Sequence, residues 1–168
     1  MLIKDVIWRA MTDYDLPAVQ AIADVVHPDF FEAPDVLAER YRLYRNGCYL
    51  LELGEKPTGY VLSHPWRYGS LPALNSLLNT LPADADTYYL HDLALLPVAR
   101  RIGAASKIVK ALTKHASVEG YQTMTLVAVN KSVPFWERHG FMVAEVPELY
   151  GKLLSYEESA RYMVKHLV

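Results

Sequence analysis

The chain has 168 residues, 52% hydrophobic and 21% charged, enough for one domain with a sizeable core and no obvious room for a second. Its formal net charge of −2 argues against a general nucleic-acid binder, and no apolar run approaches the roughly 20 residues that a membrane span needs. A lone cysteine, Cys48, cannot form an intrachain disulfide and MLIKDVIWRA has no apolar signal core, so a soluble cytoplasmic protein is expected.

In chain order, Asp5 to Ala10 reads as a first strand. Thr12 stands where an N-cap would, with Asp15 three residues on, and Leu16, Val19, Ile22 and Val26 recur as a helical stripe. This predicts a helix over 15–26, ended by His27-Pro28 because the residue before proline disfavours the α region. A second helix over 35–46 follows Pro34, with Leu37, Tyr41 and Tyr44 on one face and Gly47 as its stop. Cys48 to Leu53 and Thr58 to Ser63 are strand-like runs joined by Gly54-Glu55-Lys56-Pro57, which reads as a hairpin. His64 to Asp86 contains Pro65, Pro72 and Pro82, with a helical turn around Ala73 to Leu78. It is long for a connection, so it either borders a ligand pocket or simply covers the sheet.

Tyr88 to Leu96 is apolar and aromatic and stops at Pro97, the pattern of a buried strand. Ala105, Ile108, Val109, Leu112 and Ala116 then form the stripe of a helix packed on a sheet, with Gly120 as its stop. Between strand and helix lies Arg100-Arg101-Ile102-Gly103-Ala104-Ala105, and small residues let an anion approach the unpaired N–H groups of a helix N-terminus. An ordinary βα turn has the same local appearance. Lys107, Lys110 and Lys114 add cations along this helix, where a solvated face explains them as well as a ligand does.

Thr123 to Val129 is a further strand, and Ser132 with Pro134 in the first turn opens a short helix. Phe141 to Val146 reads as a strand, Glu148, Tyr150 and Lys152 as a polar loop, Ser155 to Ser159 as a helical turn, and Ala160 to Leu167 as the closing strand. Histidines 27, 64, 115, 139 and 166 show no i, i+4 pair and no cysteine companion, so no metal site is expected. Cys48, inside an apolar run, reads as a small buried hydrophobe.

Two segments at linked spacing carry a family likeness. Arg100-x-x-Gly103-x-Ala105, three residues after Pro97, resembles the Arg/Gln-x-x-Gly-x-Gly/Ala motif of the GCN5-related N-acetyltransferase (GNAT) superfamily, and Asn130 with Pro134-Phe135-Trp136-Glu137-Arg138-His139-Gly140-Phe141 resembles its Asn…Phe-Tyr-x-x-x-Gly-Phe segment. The likeness is strong over residues 88–146, about a third of the chain. It implies an α/β (α+β) fold with a mixed, largely antiparallel sheet of about seven strands flanked by about four helices, which the order β-α-α-β-β-β-α-β-α-β-β fits. It also implies an acetyl-CoA-dependent N-acetyltransferase occupying 1–168 as a single domain, with a small-molecule or peptide amine as acceptor, no nucleic-acid or membrane partner, and a homodimer left open.

By that resemblance, pantetheine would lie along the strand that holds Leu93, Ala94 and Leu95. The pyrophosphate would meet N–H groups of Arg101, Ile102, Gly103, Ala104, Ala105 and Ser106 beside Arg100, and Asn130, Phe135 and Trp136 would complete the cofactor site. Several members place a carboxylate base where His91 stands, ahead of a second acid at Asp92. An imidazole with an ordinary pKa near ~6.5 can take an amine's proton, although a structural histidine at a strand end reads equally well. Asp92, expected on the opposite face, reads as structural. The family's tyrosine acid is replaced by Trp136, whose indole N–H cannot supply a proton. Either the thiolate leaves unaided or Tyr150, Tyr121 or Cys48 substitutes. A CoA-binding regulatory module that has lost catalysis is the alternative.

Overall fold

The computed structural model describes residues 5–167. Its strands are β1 (Val6–Ala10), β2 (Cys48–Leu53), β3 (Lys56–Trp66), β4 (Thr87–Leu95), β5 (Thr123–Ala128), β6 (Met142–Val143) and β7 (Arg161–His166). Five helices join them: α1 (Leu16–Val26), α2 (Pro34–Leu43), α3 (Ala104–Val118), α4 (Val133–Glu137) and α5 (Tyr150–Tyr156). The strands form one seven-stranded sheet in the order β1-β2-β3-β4-β5-β7-β6, antiparallel throughout except for β4 against β5.

Each face of the sheet is closed by its own apolar layer. Ile108, Val109, Leu112 and Ala116 of α3 bury themselves against Tyr88, Leu90, Met124 and Leu126, with Trp136 and Phe141 extending that layer around α4. Burial of each large side chain there contributes about 1.5–3 kcal/mol. On the opposite face Val19 and Ile22 of α1 and Leu37 and Tyr41 of α2 pack on Leu50, Tyr60 and Leu62, while Leu149 and Leu153 cover Tyr162 and Val164. Thr12 and Asp15 form the expected capping box ahead of α1.

Several local expectations shift. α3 begins directly after a left-handed Gly103, so the buried stripe starts at Ala104 and Ala105 is only half-buried. α2 ends at Leu43, and a 3₁₀ turn over Arg45–Gly47 takes the place of its last residues. Ser132 sits at the N-cap position of α4, but its hydroxyl donates to the Val129 carbonyl (2.6 Å) rather than capping the helix. The strand expected over 141–146 is reduced to Met142–Val143, because Phe141 turns inward against Trp136. The polar stretch around Tyr150 and Lys152 is the start of α5, not a loop, and no helical turn forms over 73–78. Among the described residues no helix is long and apolar enough to cross a membrane.

Candidate active site

The one parallel pair in the sheet is its seam. β4 and β5 are in register only at Tyr88↔Met124 and Tyr89↔Thr125. Beyond that point β4 continues with β3 as far as Leu95, whereas β5 continues with β7 as far as Ala128. One edge of β4 therefore runs without a strand partner from Leu90 to Leu95, leaving backbone groups available to a ligand that carries amides of its own.

This gap opens into a cleft of about 860 Å³. Leu93, Leu95, Arg100, Arg101, Gly103, Ala104, Ala105, Ser106, Asn130, Phe135 and Trp136 all line it, and His91 and Asp92 stand where it meets a second, smaller pocket. Two expected contacts do not. The Ala94 side chain is buried in the α1–α2 layer, so only its backbone lies on the β4 edge, and Ile102 is 46% exposed away from the cleft.

The α3 end of the cleft is built for close approach. Gly103 holds φ +81°, a left-handed conformation that favours glycine, and a Cβ built there would meet nothing within 4 Å. The first helical bond runs from the Lys107 N–H to the Gly103 carbonyl (3.1 Å), so the preceding N–H groups of Ala104, Ala105 and Ser106 have no helical acceptor. Arg100 anchors the turn by donating from Nε to the Leu95 carbonyl (3.0 Å).

At the other end, β4 bulges. Asp92 pairs with Leu62 but Leu90 pairs with Ser63, which leaves His91 as the extra residue. The insertion puts His91 and Asp92 on the same face of the sheet, correcting the expectation of opposite faces, which holds only for unbroken alternation. His91 Nε2 meets Glu32 Oε1 at 2.7 Å, and its Nδ1 is buried without a partner. Asp92 Oδ1 meets His27 Nε2 at 2.8 Å, while Tyr60 donates its hydroxyl to Oδ2.

The two carboxylates stay ionised. Burial alone would raise Asp92, but the charge and hydrogen bond of His27 hold it below its ordinary value. Glu32 is likewise lowered, burial being outweighed by His91. For His27, burial pulls the pKa down and the neighbouring Asp92 carboxylate pulls it up further, so the net direction is upward. Because an ionised carboxylate can only accept, each imidazole presents Nε2–H to its acid, and a neutral ring then carries its lone pair on Nδ1.

The groups expected to replace the missing tyrosine acid are elsewhere. Tyr150 is exposed and donates to Glu145 (2.7 Å), Tyr121 packs on Tyr88 at the far end of α3, and Cys48 is buried with its thiol pushed up to about 12 by burial. No tyrosine lines the large cleft among the described residues. The sequence did not single out His27, Glu32, Tyr60, Arg138 or His139 as site residues. His27 and Glu32 sit in a Pro-punctuated connection with no motif of its own, and Arg138 and His139 were absorbed into the Pro134 to Phe141 segment.

Solved structures share this fold. The loading GNATL domain of CurA from Lyngbya majuscula is similar at TM-score 0.78 and 13% identity, covering 97% of this chain and 98% of that one. Ard1 from Thermoplasma volcanium is similar at TM-score 0.73 and 13% identity over 97% of this chain and 98% of its own. N-acetylglutamate synthase from Neisseria gonorrhoeae, solved with coenzyme A and N-acetyl-glutamate, is similar at TM-score 0.72 and 15% identity, over 98% of this chain but 35% of the synthase. No curated protein matches the sequence. The model of the acetyltransferase (GNAT) family matches residues 9–141, and with the split β4–β5 seam and the glycine turn ahead of α3 it places this chain in the GNAT family.

Proposed function

We propose that the protein is an acetyl-CoA-dependent N-acetyltransferase that moves an acetyl group directly to a primary amine. The observation that carries this reading is the open β4 edge leading from the unfilled space at Gly103 to the paired imidazoles, within a chain of the GNAT family. Coenzyme A bound to the similar Neisseria synthase supports a CoA-type ligand for this cleft.

An acyl thioester supplies an electrophilic carbonyl and a thiol leaving group. The backbone of Leu93 and Leu95 suits the amides of a pantetheine arm, and the free N–H groups of Ala104 to Ser106 suit a pyrophosphate at a helix N-terminus. Asn130, Phe135 and Trp136 form the facing wall. His91 is the general base: Glu32 fixes its Nε2–H and stabilises the imidazolium, leaving Nδ1 to take the ammonium proton directly or through a water. Asp92, locked between His27 and Tyr60, is a positioning residue.

Trp136 and the cleft without tyrosine favour the second reading, a CoA-binding module without catalysis. Titrating acetyl-CoA by calorimetry and then following free-thiol release over an amine panel decides between them. Binding with thiol release supports the transferase, binding without release over the whole panel supports the module, and absence of binding contradicts both.

A further inference from the structure

The end of α1 is a wall of the large cleft. Val25, Val26, His27 and Pro28 line it together with Leu93 and Leu95 of the open β4 edge. His27 also lines the small pocket, so its ring stands where the two spaces meet. Its side chain is 15% exposed against 6% for His91, which lies among His64 and Tyr89 instead.

The His27 ring is gripped at one nitrogen only. Nε2 donates to Asp92 Oδ1 (2.8 Å), and the Tyr60 hydroxyl fixes that carboxylate from its other side. Nδ1 has no partner among the described residues. The charged and titratable groups around the ring are Asp24, Asp29, Glu32, His91, Asp92, Tyr60 and Arg100. Burial opposes a charge on it, but Asp92 and Glu32 outweigh burial and Arg100, so the ring holds a proton more readily than an ordinary imidazole. A charged ring carries that proton on Nδ1, where a buried donor without an acceptor is costly and calls for a partner.

A departing thiolate gains from a proton donor, and few groups in the cleft can supply one. Trp136 cannot, no tyrosine lines the cleft among the described residues, and arginine does not give up its proton. Asp92 is ionised. Of the three imidazoles that line the cleft, His91 is spent as the base. His139 stands against Ser106 at the start of α3 (3.4 Å), and burial with Lys165, Arg138 and Lys110 holds it below its ordinary pKa. His27 is left.

We propose that His27 is the general acid of the reaction, its imidazolium giving the Nδ1 proton to the departing thiolate sulfur. This rests on the acetyltransferase reading and adds a second catalytic group to it. The ammonium of the acceptor loses one proton to His91, and the freed lone pair forms the C–N bond while the carbonyl π pair moves onto oxygen. As the C=O bond re-forms, the C–S bond breaks with its pair on sulfur, and sulfur takes the His27 proton directly or through a water. The small pocket, about 50 Å³, has room for such a water. The surplus proton on nitrogen then returns to His27, so the only proton released to solvent is the one His91 took.

The test starts on the wild-type protein by imidazole nitrogen NMR. Coenzyme A should shift the His27 Nδ1 signal, and desulfo-coenzyme A, which lacks only the sulfur, should not. His27→Gln, which can keep a donor to Asp92, should lower kcat with acetyl-CoA by about 10²-fold or more. With para-nitrophenyl acetate as donor, whose leaving group needs no proton, the loss should be at least about tenfold smaller. A His27 signal that answers both ligands alike, or neither, overturns the proposal whether or not the variant folds, and so does an equal loss with both donors. Thiol release by the wild type alongside any of those results would leave the transferase reading standing, whereas failure of coenzyme A to bind would contradict that reading and the acid with it.

Discussion

The large cleft and the small pocket share His27, Phe30, His91, Asp92, Val127 and Val129 as a common wall but differ in what lies beyond it. Along β4 and the start of α3 the cleft presents backbone, an unpaired strand edge, a left-handed glycine and the first N–H groups of one helix gathered from a short stretch of chain, and side chains such as Phe135 and Trp136 form the wall that faces it. The small pocket is side chains brought from α1's end, the following connection, β4, β5 and α5. A site made of backbone tolerates many sequences provided a few small residues are kept. One made of side chains changes its ligand with each substitution. On this account the first recognises what all acyl-CoA ligands share, and the second recognises the acceptor.

The sharpest way to break that division is at their common wall. His91→Ala should lower kcat by about 10²–10⁴, the range of a positioned general base, while acetyl-CoA affinity stays as it was. Steady-state kinetics with calorimetry checks both parts, and a variant with full activity would move the base to His27 or to a water.

Next in size is the cleft's apolar wall. Trp136 is 8% exposed and packs edge-to-face on Phe135 and Phe141. Trp136→Ala should cost about 3–5 kcal/mol in chemical unfolding, and Trp136→Tyr should be tolerated. An unfolding midpoint indifferent to Trp136→Ala would mean that the indole belongs to the ligand rather than to the core.

A smaller effect is expected at the glycine turn. Gly103→Val puts a branched side chain into the space in front of α3, so acetyl-CoA affinity should fall more than tenfold while the fold survives. The left-handed φ of +81° adds strain of about 1–3 kcal/mol, which a melt of the variant would register. Unchanged affinity would remove the phosphate from this turn.

The smallest effect concerns pH. Asp92 is held below its ordinary pKa, so its contribution to stability is complete above about pH 4 and is lost as pH falls through the lowered value. His27 is held above its ordinary pKa, so its contribution is complete below about pH 6.5 and is lost as pH rises through the raised value. The stability gap between wild type and His27→Gln should therefore be widest between about pH 4 and 6.5 and shrink on either side. Urea titrations across that range would show a flat difference if the pair were not charged.

The same contrast explains what the sequence disclosed. Strand periodicity gave Cys48 to Leu53 its observed bounds, and the Arg100 to Ala105 turn lies beside the cleft because a short contiguous motif carries its own geometry. The bulge at His91 was invisible, since alternation over Tyr88 to Leu96 assumes no inserted residue, and Asp92 was placed on the wrong face as a result. α5 was missed because only Leu149 and Leu153 in and around it are buried, one i, i+4 pair among polar neighbours. The partners of His91 and Asp92 come from positions 32, 27 and 60, separations of 59, 65 and 32 residues, and no local pattern predicts such pairings.

Amide hydrogen exchange, with and without acetyl-CoA, tests the division between backbone cleft and side-chain pocket most directly. The account predicts new protection at Leu93 to Leu95 and at Arg101 to Ser106, with the amides of 72–79 over the small pocket unchanged until an acceptor is added. Protection confined to 72–79, or none along β4 and the start of α3, would contradict it.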